Sequence, residues 1–263
     1  MWEIIVAFTG LRERPFTYWR LVMPERFERG QVWACYEFAR RMIGNHNPDM
    51  IMGRADWEIF RDDFRGKLGE VALKNYIIRN VPNATFTGEI DYDVTPRGQW
   101  DITDLIVNDR YINVKSIRGG SRFLLIETKR YNADGTYCYQ NNNGENVRID
   151  MYALVKVDIS EEMGPDDMNY NNVSEFWNSK GGRRINATIL GGINHEAFWA
   201  GKHYAPRGMM CNKQNLVNVC RNQNIEMATQ EQMNDERLKT KILQQNNFVL
   251  DSQNELLRIQ DLL

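Results

Sequence analysis

The chain has 263 residues, a formal net charge of −2 and a pI of about 6.0, with 42% apolar and 26% charged side chains. These values suit a soluble globular protein with a sizeable core in one large or two small domains, and they exclude a histone-like or tail-driven nucleic-acid binder. No apolar run is long enough for a bilayer, and the amino terminus M-W-E-I-I-V-A-F-T-G lacks the basic region of a signal peptide.

Residues 1–30 mix aromatic and arginine side chains without a clean period, broken by Pro15 and Pro24. Val32, Cys35, Tyr36, Ala39 and Ile43 recur at helical spacing, which predicts a helix over 31–43, and G-N-H-N-P-D-M-I-M-G at 44–53 reads as a loop. A longer helix is expected over 55–80, with an apolar face of Trp57, Phe60, Phe64, Leu68, Val71, Leu73, Tyr76 and Ile77 and a stop at Pro82. Gly66 and Gly69 weaken it beside Glu70. Residues 84–90 suit a first strand, and an acidic loop, D-Y-D-V-T-P-R-G-Q, follows.

The stretch W-D-I-T-D-L-I-V-N-D-R-Y-I-N-V-K-S, 100–116, carries the strongest signal. Two apolar runs flank Asn108-Asp109, residue types that tolerate positive φ, so a tight hairpin is predicted there. That register sets Val107 opposite Arg110, Asp104 opposite Asn113 and Ile102 opposite Lys115. Side chains alternate along a strand, so Asp104, Asn113 and Lys115 share one face. A carboxylate, an amide and an ammonium are costly to bury together, and useful where a divalent metal and a phosphate meet.

Beyond the hairpin, Arg118–Arg122 reads as a turn and 123–128 as a strand. A polar loop covers 132–146, and 151–159 forms a nearly continuous apolar strand of the kind found at a sheet centre. Residues 161–184 are polar and irregular, 185–191 suit one more strand, and 194–200 a short helix capped by Asn or His. From Lys213 the pattern reads as helical to the end, and no internal repeat is present. The expected organisation is an α/β core over 1–200 and a helical extension over 201–263 packed on it.

The arrangement around the hairpin resembles the PD-(D/E)XK nuclease superfamily, to which many type II restriction endonucleases belong. The likeness spans about residues 56 to 117 and the strand at 152–157. It maps the family's metal-binding Asp to Asp104, with Asp101 as competitor, its Lys to Lys115, and its helix Glu to Glu70 in F-R-G-K-L-G-E-V-A-L-K. Asn113 stands where the family usually has an acid. Three readings of Asn113 stay open: a neutral ligand by natural substitution, an engineered change that traps an inactive enzyme, or a site whose acid comes from elsewhere. Glu127 is the candidate for that displaced acid, since a three-residue turn would pair Arg118 with Arg122 and set Glu127 opposite Asn113. Asp101, on the opposite face in this register, is a supporting or substitute ligand.

The resemblance implies a restriction-endonuclease-like mixed, largely antiparallel central sheet flanked by helices. It implies an endodeoxyribonuclease that uses Mg²⁺, for which Mn²⁺ can substitute, on double-stranded DNA. Metal ligands would be Asp104, Glu70 and Asn113, cleavage would leave a 5′-phosphate and a 3′-hydroxyl, and a chain of this size would work as a homodimer on a palindromic site. The alternatives are a repair, phage or RNA nuclease of the same kind, or a nucleic-acid-binding protein that kept the fold and lost catalysis. Arg118, Arg122, Lys129 and Arg130 are candidates for tracking phosphates, as are Arg183 and Arg184 after Gly181-Gly182. His195, His203, Cys211 and Cys220 are zinc-ligand types, but their spacing matches no compact ligand pair, and loop and core roles are expected. Four cysteines without framework spacing imply free thiols in a reducing cytoplasm, with no membrane partner.

Overall fold

The structure is a computed structural model that describes residues 25–46, 54–94, 103–119, 121–132, 134–138, 146–160, 163–179, 184–210, 216–223, 225–234, 243, 245–251 and 256–263. Along the chain run β1 (Glu25–Arg26), α1 (Arg29–Met42), α2 (Asp56–Asn80), β2 (Leu105–Val107), β3 (Arg110–Ile117), β4 (Phe123–Glu127) and β5 (Met151–Ile159). They are followed by α3 (Val173–Asn178), β6 (Ile185–Asn194), α4 (His195–Gly201), β7 (His203–Ala205), α5 (Leu216–Arg221), α6 (Gln230–Asn234), β8 (Asn247–Asp251) and α7 (Ile259–Leu262). Among the described residues no helix is long and apolar enough to cross a membrane. Cys35, Cys138 and Cys220 are free thiols, and Cys211 lies outside the described residues.

Five strands form a mixed sheet in the order β1-β6-β5-β3-β2, in which β3 and β5 are the parallel pair. The α/β class and the helix-flanked mixed sheet expected from the sequence are present. The hairpin forms in the expected register, Val107 opposite Arg110 and Leu105 opposite Ile112. Asn108 and Asp109 have φ of 50° and 61°, the two positive values a tight turn of this hand requires. β5 takes the centre because Met151 to Val155 are all buried and can cover both sheet faces. Opposite the Leu154/Val155 step its register with β6 shifts, and Gly191, at φ 138°, absorbs the bulge where a Cβ would lie 2.6 Å from the Leu257 carbonyl.

Helix α2 packs on the sheet face that carries Ile112 and Val114, and its Phe60 and Phe64 meet Tyr36 and Phe176 largely edge-to-face. Its acidic first turn (Asp56, Glu58) and its basic last turn (Arg79) both suit the helix dipole. The helix stays continuous through Gly66 and Gly69. Gly69 is needed for close approach: a Cβ there would sit 1.9 Å from Ser116 Oγ on β3. That contact draws the segment 67–73, buried throughout, onto the strand bearing Lys115.

Three expectations change. Residues 84–90 form no strand; Phe86 makes an isolated bridge to Val107, because Asn83 (φ 61°) and Gly88 (φ 83°) turn the backbone away on both sides. β4 does not return beside β3. That side of β3 pairs with β5 from Ile112 to Ile117, whose apolar side chains bury more surface than a hairpin partner would. β4 instead joins a second, antiparallel sheet, β4-β8-β7. Consequently Glu127 pairs with Asn247 and does not lie opposite Asn113. Finally, the region from Lys213 onward is not helical throughout. Asn247–Asp251 is a strand because its apolar residues alternate: Val249 faces one cluster with Phe123 and Cys220, and Leu250 another with Leu124 and Tyr152.

Candidate active site

β2 is short, and among the described residues no strand continues beyond Leu105 along the outer edge of β3. A cleft of about 720 Å³ lies along it. One wall is the polar side of α2, with Asp62, Asp63, Gly66, Lys67 and Glu70 at helical spacing. The opposite wall comes from the second sheet and the turn after it, with Glu127, Arg130, Tyr131 and Asn247, and between them stand Asp104, Asn113, Val114, Lys115 and Ser116. Thus Asp104, Lys115, Asn113, Glu70 and Glu127, drawn from a helix and two sheets, share one cleft. Asp101 and Arg183 lie outside the described residues.

Asp104 has two jobs. Its backbone N–H donates to the Ile112 carbonyl at 3.1 Å, and its carboxylate accepts the Val114 N–H at 2.5 Å. This fixes the carboxylate beside β3. Asp104→Ala leaves the half-buried Val114 amide without its acceptor and should cost about 1–3 kcal/mol, whereas Asp104→Asn keeps an acceptor oxygen and should cost under about 1 kcal/mol. Urea unfolding separates the two, and equal losses would show that the bond to Val114 does not matter.

Asn113 is only 7% exposed, and among the described residues its buried Oδ1 has no hydrogen-bond partner. An orphaned buried acceptor costs stability, so its retention favours a ligand for it. Lys115 is half-buried and, among the described residues, makes no ion pair. Burial pushes its ammonium below the ordinary lysine range. Asp104 opposes that shift, Arg130 adds to it, and Glu127 and Glu70 oppose it more weakly. Glu70, 8% exposed, is not open to solvent: Lys67 Nζ lies 2.7 Å from its Oε2. Glu127 pairs with Arg130 at 3.1 Å and with Lys129 at 4.0 Å.

Hard oxygen donors suit Mg²⁺, which is commonly held by one or two carboxylates and several waters. The Asp104 carboxylate and the unpartnered Asn113 Oδ1 fit that ion. Among the described residues no three His, Cys, Asp or Glu side chains gather as a metal group. The cleft is not locally basic: six carboxylates line it against Lys67, Lys115, Arg130 and His46. A phosphodiester entering there needs a divalent cation beside it to offset the repulsion.

Of the proposed phosphate-tracking residues, Arg130 reaches the cleft. Arg118 is exposed on the turn, Arg122 lies over the Phe123 ring at 5.4 Å, and Lys129 is exposed. Arg184 is exposed at the start of β6, separated from β3 by β5. Two features went unread in the sequence. Lys67 and Glu70 stand three apart on a helix, a spacing that could have revealed the pair. His46 Nε2 lies 2.7 Å from Asp63 Oδ2 on the α2 wall, a loop-to-helix contact with no local signal; burial raises the Asp63 carboxyl and His46 opposes the rise.

Among the described residues the zinc-type side chains do not gather. His195 is buried, with Trp199 stacked at 5.6 Å and Tyr152 at 6.3 Å, while Cys220 Sγ lies against Met209 Sδ at 3.7 Å in a separate cluster. Burial lowers the His195 pKa, and Arg148 adds to this. The unfolded chain therefore binds more protons just below the ordinary value of 6.5, so stability should fall as pH drops through that region. His195→Phe should flatten the fall in thermal melting between about pH 6.5 and 5; an unchanged slope would assign it elsewhere.

No family model, no curated protein and no solved structure matches this chain.

Proposed function

We propose that the chain is a Mg²⁺-dependent endodeoxyribonuclease of the PD-(D/E)XK kind, with Mn²⁺ able to substitute, acting on double-stranded DNA in the manner of a type II restriction enzyme. The observation that carries this is the convergence of Asp104, the unpartnered Asn113 oxygen and the unpaired Lys115 ammonium on one acid-lined cleft. Asp104 and Asn113 would hold the ion, with Glu70 behind them. When bound, Mg²⁺ lowers the pKa of its water and draws charge from the phosphate oxygens. As an ammonium, Lys115 Nζ donates to the attacking water or to a non-bridging oxygen and offsets the negative charge that grows there as the new P–O bond forms, while the water's proton passes to solvent and the departing 3′ oxygen takes one up. Arg130 steadies the neighbouring phosphate from the opposite wall. A homodimer on a palindromic site remains the simplest way for such a chain to cut both strands.

One observation favours a second reading, a nucleic-acid-binding protein of the same fold without cleavage. Asn113 is neutral, and among the described residues no group of three acids or other metal-ligating side chains gathers around Asp104 and Glu70. Incubating supercoiled plasmid with the chain and Mg²⁺ or Mn²⁺ separates the two. Discrete fragments support a restriction enzyme, a smear a non-specific nuclease, and gel retardation without cutting the binder. An untouched, unshifted plasmid would overturn both.

A further inference from the structure

We propose that Arg54, Arg61, Arg65 and Arg118 form a cationic shelf at the rim of the cleft that grips the phosphates of a nucleic-acid strand as it leaves the site. This rests on the nucleic-acid reading above, in its cleaving or its non-cleaving form.

The four guanidiniums come from three parts of the chain. Arg61 and Arg65 stand one turn apart on α2 and share a single carboxylate, that of Asp62, whose Oδ1 accepts from Arg61 Nε at 3.0 Å and from a terminal Arg65 nitrogen at 3.4 Å. Arg54, just before α2, donates to the other Asp62 oxygen at 2.5 Å. Arg61 also lies over the Trp57 ring at 5.2 Å, which fixes its plane. Arg118, from the turn after β3, completes the group. Burial lowers the proton affinity of Arg65, Asp62 opposes that, and Arg61 and Arg118 add to it, so these charges are within reach of one another.

The balance of charge calls for an anion. Asp62 answers three arginines, and Asp158, the other acid near Arg65, already pairs with Lys156 at 2.9 Å. Arg65 Nε is buried and, among the described residues, has no acceptor. Like charges gathered this closely repel, and a solvated carboxylate shared among them returns little. Arg61 and Arg65 are only 14% and 13% exposed, so their forks are held in place before any ligand arrives, while Arg54 and the exposed Arg118 form the open rim.

The position of the shelf says which anion. Asp62 lines the cleft, and the Ser116 hydroxyl donates to the Gly66 carbonyl at 3.5 Å, so this part of α2 and the end of β3 make the rim together. Arg118 follows Lys115 by three residues, about 10 Å along an extended strand. The shelf therefore meets neighbouring phosphates of the strand and not the one beside Lys115. Guanidinium forks match phosphate oxygens in pairs, and they supply the backbone attraction that the acid-lined cleft lacks.

Anisotropy of a fluorescein-labelled DNA duplex of arbitrary sequence, titrated with the full chain in Ca²⁺ between about 50 and 200 mM salt, tests this without any cleavage assay. The slope of log affinity against log salt should become shallower by about 0.9 in Arg65→Gln and in Arg118→Gln, and by about twice that in the double variant. Arg65→Lys keeps the charge and should keep the slope. Arg26→Gln, on β1 at the far edge of the sheet, should keep it too. Should Arg65→Gln not fold, Arg118→Gln on the exposed turn carries the test alone. A natural slope in both glutamine variants, or an equal loss in Arg26→Gln, overturns the shelf and leaves the nucleic-acid reading intact. A natural chain that binds no duplex overturns that reading, and this inference with it.

Discussion

Lys115→Met should lower phosphodiester cleavage by about 10²–10³-fold while leaving the chain at least as stable as the natural one. An ordinary surface lysine would show neither effect. Removing a donor aimed at developing phosphate charge costs transition-state stabilisation, hence the lost activity. Stability moves the other way because burial already disfavours the ammonium. The folded pKa lies below the ordinary lysine value of 10.5, so between the two the unfolded chain binds more protons than the folded one. Stability from this group therefore rises with pH across that window, and below it the charged lysine is a standing cost. Methionine fills a similar volume without charge and removes both the cost and the pH dependence. Thermal melting between about pH 8 and 10.5, run beside a plasmid assay, reads both. Loss of stability in step with activity would recast Lys115 as a structural residue.

Asn113→Asp should raise Mg²⁺-dependent cleavage by at least about tenfold and make the fold itself depend on the ion. The side chain is 7% exposed and, among the described residues, its Oδ1 lacks a partner. An acid there supplies the charge that the neutral amide cannot, tightening the metal between residues 104 and 113. The same charge, buried beside Asp104, is uncompensated when no ion is bound, so the ion-free variant should lose about 1–3 kcal/mol. Melting with EDTA and with Mg²⁺ should differ far more in the variant than in the natural chain. Equal melting under both conditions would place the metal away from Asn113 and favour the non-cleaving reading.

The parts of this fold legible in the sequence are those fixed by short-range rules. The hairpin follows from Asn108 and Asp109, the central strand from the unbroken apolar run at 151–159, and α2 from its periodic face. The same turn sets the register of Leu105–Val107 with Arg110–Ile112, and Asp104, Asn113 and Lys115 line one cleft beyond it. What was not legible depends on partners distant in sequence. β4 reads as a strand, but its pairing with β8, more than a hundred residues on, is set by which surface buries best against Tyr152 and Leu154. Glu127 reaches the cleft by that route, and not by the local turn expected to bring it there. The Asn247–Asp251 strand was hidden within a region whose spacing of apolar residues suggested helix. Glu70 was found from its place before the hairpin, while its neutralisation by Lys67 depends on the burial of both against Phe38, which spacing alone does not show.

The most direct test is anomalous diffraction from crystals of the natural chain soaked in Mn²⁺. The account predicts a peak about 2.0–2.4 Å from an oxygen of both Asp104 and Asn113, with the Lys115 ammonium beside the same cleft and Glu70 still on Lys67. A peak away from residues 104 and 113, or none at saturating Mn²⁺, would contradict it.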